Sequence, residues 1–538
     1  MVASKRFKDP IYGYIDISND LIGDVVDTAN FQRLRNVVQT SYAPLYSSAV
    51  HNRFVHSLGV FHLGGIVAKT IKEDEEKLEG IENIDRFLEL FELACLLHDL
   101  GHAPFSHTGE EYYLKDGTRE ELHNNIIELT EDADLQKEIE KRNFKAAPHE
   151  LMSVIVALRK YAALFNCAEE KSFFARCITG YKYFIKTDKL HSFLNCLISL
   201  LNSSVIDVDK LDYLIRDAYI TGFETVAVDY ERLLRSIRIR DIKDTYEIVF
   251  VKGAISVIEN VIYAHDAERK WIQNHPVVLY DAYLVQRAIE EINERYSETN
   301  IFSYEALTTQ GVPVSDNYKV SLLCDADVIF LMKNLADDCM NEYFDRKERR
   351  HPLWKSESEY KAIFSEGYSD KIFDIIEQSL EDLGKFLNFI NKSQGINEKA
   401  IEACEQEIKR HQELLEADPD KEKQYNAAIS MKKKNLKWMT LLKEFAENQN
   451  IPFDFVFIKS NQFNSGFAKE DFAKIKIEFN DVGKSHYFEK VTNVLKAEKS
   501  ERDKFFYLYY RRDGEKRNID VKKLASILGK AAMEEVYE

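Results

Sequence analysis

The chain has 538 residues, of which 45% are hydrophobic and 12% aromatic, and its formal net charge is −18. This length allows two or three domains with a large core, and the composition is that of a globular protein rather than a disordered one. The acidic balance excludes broad, non-specific binding to nucleic acid, which depends on many Lys and Arg contacts with phosphates. A local basic pocket for one small polyanion remains compatible with this charge.

The cysteines and the N-terminal segment indicate a compartment. The seven cysteines are scattered without a CxxC pair, at Cys95, Cys167, Cys177, Cys196, Cys324, Cys339 and Cys404. Their odd number and their place in apolar runs predict reduced thiols. The stretch "MVASKRFKDPIYGY" lacks the apolar region of a signal peptide, and no run of about 18 apolar residues predicts a membrane span. We therefore expect a soluble, cytoplasmic protein.

In chain order, the spacing of apolar residues predicts a mainly α-helical protein. Residues 1–20 contain a short extended segment around "KDPIYGYIDI". From about residue 20 to 220, apolar residues recur at i, i+3, i+4 and i+7, which is typical of helices. Residues 236–253 alternate between apolar and polar, which predicts a β-hairpin that turns near Asp241–Asp244. Helices resume over 254–298.

The rest of the chain divides into two further parts. Residues 366–450 predict a long amphipathic helical hairpin or an assembly surface, in which a charged, helical-looking segment joins "KIFDIIEQSLEDLGKFLNFI" to "KQYNAAISMKKKNLKWMTLLKEF". Its Lys432–Lys434 run is expected to face solvent. After residue 450, three β-like runs and a closing helix predict a small α+β lobe. The predicted organisation is thus a helical core over 1–365, the hairpin, and a C-terminal lobe over 451–538.

Candidate functional residues are concentrated between His51 and His149, a stretch that contains eight of the fourteen histidines. The stretch "ACLLHDLGHAPFSH" ends an apolar helix in three histidines and an aspartate. Imidazole and carboxylate are ligands of first-row divalent metals. Because His98 and Asp99 are adjacent, their side chains point about 100° apart on a helix. An ion bound by both must therefore lie against the helix end and take ligands from elsewhere.

Two other segments offer such ligands. "HNRFVHSLGV" contains His56 at the start of another helix. "SSVIDVDKLDYLIRD" passes from an apolar run into a helix and offers Asp207, Asp209, Asp212 and Asp217. Two nitrogens and two oxygens leave room for water and substrate oxygens, which is typical of a catalytic site rather than a structural one. These ligand types do not distinguish Mn, Fe, Mg, Zn, Ni and Co.

Four ordered motifs, "HNRFVHSLGV", "LLHDLGHAPFSH", "HELMSV" and "IDVDKLDYLIRD", resemble those of the HD-domain deoxynucleoside triphosphate triphosphohydrolases. The chain is most similar to the branch that includes the sterile-alpha-motif/HD-domain enzyme, here without a sterile-alpha-motif domain. "KDPIYGYIDI" and "VVDTANFQRLRNVVQ" are similar to the N-terminal segment of that branch. The resemblance covers roughly residues 5 to 235.

This resemblance implies a metal-dependent enzyme that cleaves a dNTP to a deoxynucleoside and inorganic triphosphate. The metal ligands it implies are His56, His98, Asp99 and Asp209. His107 and the neighbouring Glu110 match residues that protonate the leaving 5′-oxygen. His102 and His149 match residues that hydrogen-bond the phosphate or the water, with Glu150 orienting an imidazole.

The resemblance also assigns the substrate contacts. Arg53 and Lys210 match positions that bind phosphates, which suits a substrate carrying about four negative charges. Gln39 and Asp217 match the amide and the carboxylate that hold the 3′-hydroxyl. Tyr213 matches the ring that packs under the deoxyribose and leaves no room for a 2′-hydroxyl. The substrate expected from these residues is a dNTP.

Regulation is the last property implied by the resemblance, because the branch is activated by nucleotides bound between subunits. Residues that match some of these regulatory contacts are Lys5, Asp27, Gln32, Arg35 and Arg232. We therefore expect an activating nucleotide and a homo-oligomer, either a tetramer or a dimer.

Two other functions fit the same residues. A phosphodiesterase or nuclease would keep the metal site and act on another nucleotide or on a nucleic-acid end, although the net charge argues against long nucleic acids. A non-catalytic nucleotide sensor would use residues 370–538 as its working part, but it would not need four metal ligands. The triphosphohydrolase is therefore the favoured function.

Overall fold

The computed structural model describes residues 4–40, 43–114, 118–141, 146–184, 188–224, 226–335, 338–365, 370–391, 395–459, 469–479, 484–496, 506–512 and 519–537. These residues confirm the predicted mainly α-helical fold, with four small β-sheets among them. They form two compact units. The first contains Met1–Gln273, Ala288–Leu335 and Phe463–Lys499, and the second contains Asn274–Arg287, Ala336–Gln462 and Ser500–Glu538.

The elements up to residue 335 are β1 (Ser4–Asp9), β2 (Gly13–Ser18), α1 (Arg53–Glu73), α2 (Ile84–Leu97), α3 (Thr118–Thr130), α4 (Ala133–Lys141), α5 (Pro148–Lys160), α6 (Ala168–Thr179), α7 (Lys189–Leu201), α8 (Val208–Thr221), α9 (Tyr230–Leu234), β3 (Ile237–Asp241), β4 (Tyr246–Val251), α10 (Ile255–Glu268), α11 (Pro276–Arg295), β5 (Val312–Ser315), β6 (Tyr318–Val320) and α12 (Asp325–Met332). Later elements are α13 (Asp338–Phe344), β7 (His351–Pro352), α14 (Glu357–Ser365), α15 (Asp370–Asn391), α16 (Glu398–Ala417), α17 (Glu422–Gln449), β8 (Phe455–Lys459), β9 (Lys476–Phe479), β10 (Lys484–Tyr487), β11 (Phe506–Tyr510) and α18 (Val521–Tyr537). Short helical segments lie at Asn19–Leu21, Ala29–Gln32 and Lys469–Phe472.

Helix α1 is a core helix of the first unit. It begins after Asn52, whose side chain accepts the backbone N–H of Val55 and so caps the first turn. Among the described residues it is the helix long and apolar enough to cross a membrane, which differs from the sequence expectation that no such run exists. However, 67% of its most apolar window is buried inside the protein. A buried helix of this kind packs against other protein elements rather than lipid.

Helix α2 packs beside α1 and ends at the candidate site. Leu90, Phe91 and Leu97 on α2 are fully buried, as the apolar pattern predicts. The two helices approach closely at Gly64 of α1, where an added Cβ would lie 2.7 Å from Sγ of Cys95. This packing holds the end of α2 in place, and the chain leaves the helix through His98.

The loop after α2 presses against helix α5, and this contact yields a stability prediction. Gly101 donates its backbone N–H to Oγ of Ser153 at 2.8 Å, and a Cβ there would lie 2.2 Å from the backbone nitrogen of Ser153. We expect Gly101→Ala to lower the free energy of unfolding by about 3 kcal/mol, because helix backbone cannot move aside easily. Chemical denaturation measures this change. Gly65→Ala is the control, because nothing lies within 4 Å of its added Cβ, and it should not destabilise the protein. Equal effects of the two substitutions would contradict the packing argument.

The predicted β-hairpin is confirmed, and it is part of a larger sheet. Strands β3 and β4 pair antiparallel from Ile237↔Phe250 to Asp241↔Tyr246. Strand β4 also pairs in parallel with β9, which gives the order β10-β9-β4-β3. The other late strands form a separate sheet in the second unit, in the order β7-β11-β8. Residues 451–538 thus contribute to both units, and the three-part division proposed from the sequence stays a prediction.

The second unit contains the two long amphipathic helices that the sequence predicts, which are α15 and α17. The charged joining segment is itself helix α16, which packs along α17. The expectation that Lys432 faces solvent is wrong. This side chain is buried, and its Nζ lies 3.4 Å from Oε2 of Glu407 and 3.3 Å from the ring of His411. The ion pair with Glu407 compensates the burial of its charge.

Candidate active site

Three separate segments bring histidines and aspartates together in the first unit. His56 lies in the first turn of α1, His98 and Asp99 lie at the end of α2, and Asp209 lies in the first turn of α8. Nε2 of His56 is 3.0 Å from Oδ1 of Asp209, and Nε2 of His98 is 3.6 Å from the same oxygen. The two histidine Nε2 atoms are 3.3 Å apart. We name these four residues the metal cluster.

The spacing of these atoms fits a divalent ion. Two ligand atoms at about 2.1 Å from one ion lie about 3.0 Å apart at a right angle and about 3.4 Å apart at a tetrahedral angle. Oδ1 of Asp99 lies 3.3 Å from His98, and its Oδ2 lies 3.5 Å from His56. Potential ligand atoms of His56, His98 and Asp99 all lie within 4.8 Å of one another. Neutral imidazoles and carboxylates suit first-row divalent metals, so this cluster can bind one.

A buried polar network orients His56. Nδ1 of His56 lies 2.7 Å from Oδ2 of Asp212, so it donates to this carboxylate and leaves Nε2 as the ligand atom. Asp212 also accepts from the Arg216 guanidinium and, at 2.7 Å, from the hydroxyl of Tyr12. Burial raises the pKa of Asp212, but Arg216 and His56 outweigh it and keep this pKa below the ordinary value. Arg216 in turn contacts Asp9, so the turn between β1 and β2 supports the network.

This network predicts that Asp212→Asn weakens metal binding about 10- to 100-fold, the usual cost of losing a residue that orients a metal ligand. The amide places an NH₂ group against donors from His56, Arg216 or Tyr12, whichever way it points. Titration with Mn²⁺, followed by calorimetry, gives the affinity. Asp241→Asn is the control, because Asp241 pairs with Lys189 at the surface. Unchanged affinity in Asp212→Asn would show that this residue does not orient the ligand.

The other two central ligands are also oriented by hydrogen bonds. Nδ1 of His98 lies 2.9 Å from the carbonyl oxygen of Cys95, so its Nε2 faces the cluster. Asp99 pairs with Arg53 at 2.7 Å. Burial raises the pKa of Asp99, but Arg53, His98 and His102 together outweigh this and hold it well below the ordinary value. Arg53 also donates to Oγ of Ser106 and to the carbonyl oxygen of Gln39. The predicted phosphate ligand Arg53 is therefore a buried partner of the metal cluster.

A second group of histidines adjoins the metal cluster. The ring of His102 stacks on His149 with centroids 4.0 Å apart, and Nε2 of His102 lies 3.1 Å from Oδ1 of Asp99. Glu110 hydrogen-bonds Nδ1 of His149 with one oxygen and lies 3.2 Å from Nδ1 of His107 with the other. Potential ligand atoms of these residues also lie within 4.8 Å of one another. We name His102, His107, Glu110 and His149 the histidine relay.

The surroundings of the histidine relay determine which of its members are charged. Burial lowers the pKa of His149, but Glu110 outweighs it and raises this pKa to about 9. Burial raises the pKa of Glu110, but His149 and His107 hold it well below its ordinary value. Burial, Arg53 and His149 together lower the pKa of His102 far below 6.5. At neutral pH the relay therefore holds a neutral His102 against a His149–Glu110 ion pair.

Glu150 does not have the contacts that the sequence assigned to it. Its carboxylate accepts the backbone N–H of Ala147 at 2.6 Å and the amide of Asn202 at 2.7 Å. These contacts cap the start of α5 and hold the segment before α8. The carboxylate that orients imidazoles is Glu110 instead. A cavity of about 780 Å³ is lined by Glu150, Asn202 and Lys210, together with residues of β4 and β9.

The other predicted substrate residues lie on helix α8 and in the segment before helix α1. Lys210 extends to Oδ2 of Asp207 at 2.6 Å, so its ammonium is paired in this structure. Tyr213 lies on α8, half-buried, and burial raises the pKa of its hydroxyl. Gln39 and Asp217 are buried, and Asp217 pairs with His51 at 2.7 Å. His51 had no assigned role in the sequence, although it belongs to the same histidine-rich segment.

The residues matched to regulatory contacts lie mainly near the N-terminal strands. Lys5 and Asp27 approach to 3.7 Å and are both half-exposed. Gln32 accepts from Nε of Arg35 at 2.8 Å, and the Arg35 guanidinium lies 3.5 Å from the ring centroid of Phe54. Arg232 lies on α9, where its backbone N–H is capped by Asp229. Their regulatory role stays a prediction.

Asp325 is a supporting residue that sequence reasoning missed. Its two carboxylate oxygens accept the backbone N–H groups of Phe105 and Val38, at 2.7 and 2.9 Å. Phe105 and Ser106 adopt left-handed backbone conformations, with φ of 56° and 55°. Such strain in residues other than glycine persists only where surrounding contacts enforce it. Burial raises the pKa of Asp325 to about 6. No local motif marks this residue, because its partners are more than 200 positions away.

Comparisons with known proteins find an HD domain and several related proteins. A family model of the HD domain matches residues 53–159. The chain is 30% identical over 295 residues to the deoxynucleoside triphosphate triphosphohydrolase SAMHD1 homolog of Dictyostelium discoideum, covering 54% of this chain and 50% of that protein. It is 30% identical to SAMHD1 of Xenopus laevis, covering 64% and 55%, and 29% identical to the uncharacterized protein YwfO of Bacillus subtilis, covering 56% and 58%. The chain therefore spans about half the length of the curated relatives it matches.

Solved structures share the fold at low sequence identity. A hypothetical protein from Aquifex aeolicus matches with a TM-score of 0.54 at 18% identity, covering 98% of this chain and all of that one. A phosphohydrolase from Bacteroides thetaiotaomicron matches with a TM-score of 0.53 at 18% identity, covering 95% of this chain and all of that one. Residues 53–159 are therefore an HD domain, and the chain is similar to SAMHD1 triphosphohydrolases over about half to two thirds of its length.

Proposed function

We propose that this protein hydrolyses dNTPs to deoxynucleoside and inorganic triphosphate. The observation that carries the proposal is the contact between the metal cluster and the histidine relay. His102 lies 3.1 Å from Asp99 and stacks on His149, so it connects the two groups. A site that holds an ion beside a proton donor suits hydrolysis of a phosphate ester.

The reaction adds water across the bond between the α-phosphorus and the 5′-oxygen. A divalent ion bound by His56, His98, Asp99 and Asp209 would polarise a phosphoryl oxygen and lower the pKa of a bound water. Nδ1 of His102 has no hydrogen-bond partner among the described residues, and it can hydrogen-bond the phosphate or the water. A neutral imidazole suits this role, because it can accept or donate one hydrogen bond.

Departure of the 5′-oxygen requires a proton, which we assign to His107. Its side chain is 53% exposed, so it can reach a substrate in the site. Oε1 of Glu110 lies 3.2 Å from Nδ1 of His107 and can orient the imidazole, which leaves Nε2 to face the leaving group. Nδ1 of His149 hydrogen-bonds the second oxygen of Glu110, and this contact keeps the carboxylate next to His107.

The triphosphate needs cations, and we assign Arg53 and Lys210 to it. Arg53 uses three of its five N–H groups in the described contacts, so two remain for a phosphate. The ammonium of Lys210 would exchange Asp207 for the substrate. We assign the sugar to Gln39, Tyr213 and Asp217, with the ring of Tyr213 excluding a 2′-hydroxyl.

We also propose nucleotide activation, assembly into a tetramer or dimer, and a cytoplasmic location. The half-exposed Lys5–Asp27 pair supports the first of these, because its charges can reach a nucleotide at a subunit boundary. The reduced thiols of Cys95, Cys177, Cys196 and Cys404, all buried, support the location. Sedimentation with and without GTP tests the assembly. A monomer with full activity would contradict the proposed tetramer or dimer.

Product analysis tests the proposed reaction. The purified chain is incubated with Mn²⁺ or Mg²⁺ and a mixture of the four dNTPs, and anion-exchange chromatography separates the products. Inorganic triphosphate and deoxynucleosides in equal amounts support the proposal. Pyrophosphate or monophosphate release contradicts it, and degradation of single-stranded DNA that depends on His98 would favour a nuclease.

A further inference from the structure

Gln39 and His51 face each other across a short antiparallel pairing in the first unit. The backbone N–H of Gln39 donates to the carbonyl oxygen of His51 at 2.9 Å, and Val38 forms a bridge with Asn52. The backbone N–H of Arg53 donates to the carbonyl oxygen of Val37 at 2.9 Å, which continues the same register. Directly opposed residues of an antiparallel pair have their side chains on the same face, about 5 Å apart at Cβ. The side chains of Gln39 and His51 are therefore neighbours.

The imidazole of His51 extends from this pairing to helix α8. Its Nε2 lies 2.7 Å from Oδ1 of Asp217, and both side chains are about 98% buried. This contact uses one of the two carboxylate oxygens of Asp217, so the other can accept a hydrogen bond from a ligand. His51 thus contacts one proposed sugar ligand through its backbone and the other through its ring.

Buried polar atoms without partners cluster at the same place. Oε1 of Gln39 and Nδ1 of His51 are buried and have no hydrogen-bond partner within the described part of the chain, and Oγ1 of Thr40 shares this property. Leaving a polar atom buried and unpaired costs free energy, commonly 1–3 kcal/mol. Such atoms at one end of a strand pair indicate a polar ligand, and a hydroxyl group can both donate and accept.

We infer that His51 is a positioning residue for recognition of the 3′-hydroxyl of the nucleotide. It places the amide of Gln39 and the carboxylate of Asp217 on either side of that hydroxyl. The inference rests on the proposed function. It adds that His51, by holding Gln39 and Asp217 in place, makes the sugar site selective for substrates with a 3′-hydroxyl. A site built to hydrogen-bond a hydroxyl rejects an analogue without it, because its own buried groups are then unpaired.

The test compares a dNTP with the matching 2′,3′-dideoxynucleotide, using His51→Ala, His51→Gln and the wild-type protein. We expect the wild-type protein to prefer the dNTP in kcat/KM. His51→Ala should reduce this preference by about tenfold or more, mainly through a higher KM for the dNTP. His51→Gln should restore part of it, because its amide can donate to Asp217. The affinity for Mn²⁺ should stay unchanged in both variants.

A control and the contrary outcomes make the test decisive. His123→Ala removes another buried imidazole, which contacts Tyr181, and it should keep the wild-type preference even if stability falls. If His51→Ala lowers kcat/KM equally for both nucleotides, or if His51→Gln restores nothing, the inference is wrong while the proposed function stands. A wild-type protein that cleaves the two equally also overturns it. If the wild-type protein releases triphosphate from neither nucleotide, the proposed function and the inference both fail.

Discussion

Asp99→Ala is expected to lower the rate of phosphohydrolysis by at least about a thousandfold and to abolish tight binding of a divalent metal. Asp99 supplies one of the two carboxylates of the metal cluster, within 3.5 Å of His56 and 3.3 Å of His98. Metal-ion stabilisation of a transition state is worth several kcal/mol, and a carboxylate ligand offsets much of the charge of the ion. Steady-state rates and metal content measured on the same sample test both effects.

A second variant separates chemistry from folding. Asp99→Ala leaves the buried guanidinium of Arg53 without its carboxylate, which costs stability in addition to activity. Asp99→Asn keeps the shape and one oxygen, so it should fold and still lose activity. Chelation of the metal from the wild-type protein should remove the activity, and Mn²⁺ should restore it there but not in Asp99→Asn. Asp85→Ala, at the exposed start of the same helix, is the control and should keep the wild-type rate.

Activity that survives in Asp99→Asn after chelation and return of the metal would contradict the assignment of this residue. The predicted metal dependence of the whole enzyme would then rest on the remaining cluster members, and His98→Ala would need the same measurements. Equal losses in Asp85→Ala and Asp99→Ala would instead indicate a general effect of removing charge from α2.

Glu110→Gln is expected to reduce kcat by about 100- to 10,000-fold, the usual contribution of a positioned acid–base group. Glu110 contacts His107 and His149 with separate oxygens, and its negative charge raises the pKa of His149. The neutral amide removes this charge and replaces one of the two accepting oxygens by an NH₂ group, which would face the nitrogen of one of the two rings. The neighbouring Glu111 is exposed, so Glu111→Gln is the matched control.

The pH dependence of this variant gives a sharper readout than its rate. In the wild-type protein Glu110 raises the pKa of His149 to about 9, so the imidazolium is present below that pH and is lost above it. Removing the charge of Glu110 leaves burial as the main effect, and burial lowers the pKa of His149. The alkaline limb of the kcat profile should therefore move to lower pH in Glu110→Gln. An unchanged limb would show that His149 does not control it.

Much of the fold was predictable because its signals are local. The helical spacing, the alternation over 236–253 and the apolar helix that ends in "HDLGH" can be read within short windows. The parallel pairing of β4 with β9 could not be predicted, because it joins strands more than 220 residues apart. The burial of Lys432 was missed for the same reason, since its partners lie on another helix.

The candidate site was also predictable only in part. The motifs named the residue types and their segments, and the resemblance assigned them roles. It assigned Glu150 to orient an imidazole, whereas the hydrogen bonds of this carboxylate are with Ala147 and Asn202. Asp212 was a candidate ligand in the sequence, but its role in orienting His56 was not predictable, and neither were the roles of Asp325 and His51. Each of them acts through a hydrogen bond to a residue distant along the chain.

The sequence by itself determined that the protein is mainly helical, that histidines and aspartates occur at helix ends, and that these residues suit a divalent metal. Only the tertiary structure decided which of them meet: Asp209 with His56, Glu110 with His149, and His51 with Asp217. The physical reason is that ligand type and helix propensity depend on neighbours in the chain, whereas distances between side chains depend on the packing of separate helices.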